Sequence, residues 1–60
     1  MQLSGKEVKG ILKNRGIKAM WLGKEVGLKQ ANLSHWLNGR IGEIPKSKYY
    51  RILEVLGLED

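Results

Sequence analysis

The sequence predicts an all-α domain, a compact bundle of about four short helices. Two observations carry this. Apolar residues recur at spacings of three and four in successive segments, and no stretch alternates apolar with polar as a half-buried strand would. Glycines also stand where the helical stripes stop, at Gly16, Gly27 and Gly57, where a residue tolerant of positive φ ends a helix readily.

Length sets the next bound. Residues 1–60 form one domain, and a chain this small buries only about 60% of its unfolded surface. There is no cysteine, which excludes a disulfide framework and a Cys-based zinc site and makes the cytoplasm the default setting. The longest apolar run, residues 19–22, has four residues. A membrane span needs ~20, and nothing reads as a secretory leader.

The first helix starts at a capping box, Ser4 with Glu7, and Leu3 and Val8 stand where a hydrophobic staple places them. Its buried stripe is Val8, Ile11 and Leu12, with Lys6, Lys9 and Lys13 outward and Gly16 as the stop. Gly10 lies inside this helix without a reason that the sequence supplies.

Residues 19–38 organise the rest. Ala19, Leu22, Gly23 and Val26 share one face, Gly27 turns the chain, and Leu28 anchors the turn. A second helix buries Leu33, Trp36 and Leu37 and leaves Gln30, Ala31, Asn32, Ser34 and His35 on its other face. Two helices joined by a three- to four-residue glycine turn form a helix-turn-helix. Glycine within a helix costs ~1 kcal/mol relative to alanine, so Gly23 is expected where the two helices cross too closely for a larger side chain. Residues 40–45 then read as a loop, and a last helix over residues 45–56 buries Tyr49, Ile52, Leu53 and Leu56. Pro45 suits its first turn.

The run Leu22-Gly23, Gly27-Leu28, Gln30, Leu33 and Trp36-Leu37-Asn38-Gly39 resembles the helix-turn-helix of phage-repressor and Cro-type DNA-binding domains, the XRE-like group. The likeness spans residues 6–58 and is most specific over 22–39. It implies a lambda-repressor-like fold and a phage or bacterial repressor that occupies an inverted-repeat operator as a homodimer. Its half-sites would lie ~34 Å apart. Two positions depart from the pattern. Ala19 replaces a polar residue, so no phosphate contact is expected from that side chain, and Lys29 replaces the capping Ser or Thr.

In the docking that the resemblance implies, the start of the second motif helix enters the major groove. Gln30, Ala31, Asn32 and His35 are then the candidates for base edges. A glutamine can donate and accept side by side at adenine, an alanine methyl suits thymine, and a histidine can donate to guanine. Lys18, Lys29, Ser34, Asn38 and Arg40 are the candidates for phosphate, with Lys46 and Lys48 less certainly placed; the free amides starting the first motif helix add a positive dipole end. Trp36 falls on the buried stripe. Trp21 leaves it, and could cover the domain edge, reach a phosphate or meet a partner.

Eleven Lys and Arg against six Asp and Glu give +5. That balance implies a polyanionic partner, duplex DNA or an anionic membrane surface, or simply a lysine-solvated exterior. Short, glycine-broken stripes argue against an interfacial membrane helix. Glu54, Glu59 and Asp60 gather at the C-terminus, which leaves the middle of the chain more basic. One histidine, no cysteine and no paired carboxylates in mid-chain argue against an enzyme, and no cofactor, metal or small-molecule ligand is expected. The rival reading is a protein-interaction module such as an antitoxin or adaptor, with Met20, Trp21, Tyr50 and Val55 as its surface. Tyr50, Val55 and Leu58 could also form a dimer contact.

Overall fold

Helix ends decide this architecture. In the computed structural model, which describes residues 3–58, they delimit α1 (Gly5–Arg15), α2 (Ala19–Val26), α3 (Gln30–Leu37) and α4 (Lys46–Leu56). Among the described residues there is no strand. Glu59 and Asp60, the terminal acids, lie outside them.

The capping box forms: Glu7 N donates to Ser4 Oγ at 3.2 Å and Ser4 N to Glu7 Oε1 at 3.0 Å. Leu3 packs against the core into which Val8 is fully buried, as the staple requires. Three helices then stop in one way. Ile17 N donates to Leu12 O, Leu28 N to Gly23 O and Leu58 N to Leu53 O, each across a left-handed glycine. The apolar residue after each glycine packs back on the core. At Gly27, φ is +71°, which a side chain would strain, and this is what lets three residues reverse α2 into α3.

α1 packs on α3, α3 on α2, and α2 on α4. The core between them takes Val8 and Leu12 from α1, Leu22 and Val26 from α2, Leu33, Trp36 and Leu37 from α3, and Tyr49, Ile52, Leu53 and Leu56 from α4. Trp36 and Tyr49 meet edge to face at 6.3 Å between ring centres, a favoured aromatic geometry. The Tyr49 hydroxyl accepts the Leu3 amide at 2.8 Å and so ties the N-terminal segment to α4.

Three expectations need correction. Ile11 is only half-buried and stands outside the core; the third buried position of α1 is Gly5. A Cβ at Gly5 would lie 1.9 Å from the carbonyl oxygen of Trp36, so α1 and α3 meet backbone to backbone there. Pro45 is the N-cap of α4 rather than part of its first turn, and its carbonyl accepts from Lys48 N and Tyr49 N. Gly23 does lie at a close approach, but not of two helix backbones. The space beside it holds the side-chain amide of Gln30, 2.2 Å from where a Cβ would sit, and the Leu28 carbonyl at 3.2 Å. Gly10 has nothing within 4 Å.

Candidate nucleic-acid interface

The buried stripe of α3 fixes what its other side can do. With Leu33, Trp36 and Leu37 inward, Ala31, Asn32 and Ser34 are exposed, and His35 is half-buried. No carboxylate occurs from residue 26 to residue 42, while Lys29, His35 and Arg40 fall within that span. Lys18 and Lys29 are the N-cap residues of α2 and α3, both exposed, and neither helix has a side-chain cap. The first-turn amides of both helices therefore have no side-chain cap as partner, and each helix start carries the positive end of its dipole.

Gln30 departs from the role expected of it. Its Nε2 donates to Met20 O at 3.0 Å and lies 3.5 Å from Ala19 O. The amide is folded over the start of α2, in the room that Gly23 leaves. Its donor half is thus engaged within the domain, and a side-by-side donor and acceptor toward adenine is not on offer in this geometry. Gln30 ties α3 to α2; its Oε1 remains an acceptor.

Asn38 is likewise engaged at both ends. Its Oδ1 accepts from Lys9 Nζ at 2.6 Å, and its Nδ2 donates to Ser34 O at 2.9 Å and to Ser34 Oγ at 3.3 Å. The side chain expected at phosphate instead links the end of α3 to α1. Nothing between residues 9 and 38 in the sequence signals that bond.

Arg40 is exposed just past the end of α3. α3 ends with Arg40 N donating to His35 O at 2.8 Å across Gly39, whose φ is +77°. It repeats the closure of the other three helices, with an exposed arginine where they carry a core-seeking apolar residue. The polar side of α3 is thus flanked by Lys29 at its start and Arg40 past its end.

Elsewhere, Met20 is 60%, Tyr50 55% and Trp21 46% exposed. Val55 and Leu58 are half-buried against the core. Among the described residues no three His, Asp or Glu side chains cluster as a metal site, and no helix is long and apolar enough to cross a membrane.

The fold is a small all-α bundle in which α3 turns Ala31, Asn32 and Ser34 outward between Lys29 and Arg40. No protein-family model matches the chain, and neither a curated protein nor a solved structure matches it.

Proposed function

We propose that this domain binds double-stranded DNA with sequence preference and acts, without chemistry of its own, as a small transcriptional repressor of the Cro type. One observation carries the reading. The outward side of α3 is free of carboxylates and is held in place from both ends, by Gln30 on α2 and by the Gly5–Trp36 contact with α1. A rigid helix with Ala31, Asn32 and His35 along its exposed side suits a major groove. Lys18, Lys29 and Arg40 then face phosphates, which position the protein without reading sequence. Two copies on an inverted repeat, with half-sites ~34 Å apart, would exclude polymerase, and exposed Tyr50 supplies an apolar contact for the second copy.

The test is an anisotropy titration of labelled random-sequence duplex at several salt concentrations. Log K should fall linearly with log salt, with a slope of about −0.9 for each phosphate neutralised. No binding at low salt, or binding indifferent to salt, would refute the reading. That result would favour the protein-interaction alternative, for which the exposure of Met20, Trp21 and Tyr50 is the supporting observation.

A further inference from the structure

Lys6, Lys9 and Lys13 lie three and four residues apart on α1 and therefore share one face. They line a shallow groove with Gly10, Leu37 and Asn38, between α1 and the end of α3. Among the described residues no carboxylate pairs with any of the three. Glu7, the one acid of α1, is turned back onto the Ser4 amide. Like charges on one helix face repel one another, and an anion seated between them would relieve that repulsion.

The groove is continuous with the side of α3 already described. Lys9 donates to Asn38, and Asn38 to Ser34. The Lys6 stem lies against Gly39, where a Cβ would be 2.8 Å from its Cε, next to Arg40. Gly10 adds an open stretch of helix backbone with nothing within 4 Å of a Cβ, so a bulky strand can approach α1 closely.

We infer that the Lys6–Lys9–Lys13 face of α1 holds the phosphodiester backbone of the same duplex whose groove receives α3. This rests on the proposed DNA binding. Lys9 is the junction: it fixes Asn38 and leaves its remaining donors to a phosphate, while Lys6 and Lys13 flank it along the strand. The contact adds affinity for any sequence and no discrimination.

The experiment compares the salt dependence of duplex binding for wild type, K6Q/K13Q and K24Q/R51Q. Both variants lose two positive charges, and both leave the Lys9–Asn38 bond intact. With K6Q/K13Q the slope should become shallower by about 1.8, two phosphates at 0.9 each, with the preference for a selected over a random duplex unchanged. K24Q/R51Q should keep the wild-type slope. Thermal unfolding of K6Q/K13Q should occur at or slightly above the wild-type temperature, because repulsion among the three lysines is reduced, which separates lost contact from lost fold. Equal slopes for the two variants would overturn the inference while DNA binding stands. Absence of salt-dependent binding by wild type would overturn both.

Discussion

α3 is held at its two ends by contacts of different kinds. At its C-terminal end, the Trp36 carbonyl faces the α1 backbone at Gly5, with a would-be Cβ only 1.9 Å away. At its N-terminal end, the space beside Gly23 is filled by the Gln30 amide, the far end of a flexible side chain. Both glycines are buried in helices, yet one excludes a side chain absolutely and the other shelters a movable clamp. The proposed base-reading positions begin at the clamped end. The N-terminal end of α3 is thus held by a side-chain hydrogen bond and its C-terminal end by backbone packing.

The sharpest way to break this contrast is Gly5→Ala. The Trp36 carbonyl is backbone, further held by Gly39 N at 3.1 Å, and cannot swing aside. The substitution should cost about 3 kcal/mol and lower Tm by roughly 12 °C or more. Calorimetry checks it; a wild-type Tm would mean that α1 is not seated on Trp36. Gly23→Ala should cost far less, because the gain in helix propensity, ~1 kcal/mol, offsets the displaced Gln30 amide and a small shift of the Leu28 carbonyl. Its signature is coupling: in a double-mutant cycle with Gln30→Ala, urea melts should give an interaction energy of ~1 kcal/mol. Strict additivity would deny the clamp.

Gly10→Ala inverts the sign. Its surroundings are open, so alanine should stabilise α1 by roughly 0.5–1 kcal/mol, and a destabilised variant would reveal a neighbour of Gly10 that the fold does not place there. The smallest effect concerns pH. Hydrogen bonds from the Ser4 backbone amide and then the Ser4 side chain hold the Glu7 carboxyl below its ordinary value. The folded state binds this proton less readily than the unfolded one, so the contribution is present above the unfolded value and is lost as pH falls through the lowered one. Glu7→Gln should remove that part of the acid sensitivity in melts across the acidic range, and an unchanged pH profile would sever it from the cap.

The sequence made the helix ends and most buried faces legible, because both are written locally. Each glycine followed by Ile17, Leu28 or Leu58 states a stop and its return to the core, and Ser4 with Glu7 states a start. The two tertiary contacts on α3 are another matter. Gly5 and Trp36 are far apart in the chain, and a glycine at the first position of a helix has no local signature of close approach. Ile11 fitted the helical period as well as Val8 did, but only packing against α3 decides that Gly5 takes its place inside. Residue type alone makes Gln30 and Asn38 outward donors and acceptors. Their engagement with Met20 O and Lys9 Nζ depends on neighbours that no spacing rule supplies, so residue type alone does not show that these two amides are tied within the domain.

The central claim is that the outward side of α3 reads base edges while Gln30 and Trp36 keep it in place. Its most direct test is the affinity of Asn32→Ala for a duplex enriched from a random pool, set against its affinity for random duplex. One lost base contact, at ~1–3 kcal/mol, should weaken the enriched duplex by roughly tenfold and leave random binding unchanged. Equal losses on both duplexes, or no loss on either, would contradict the account.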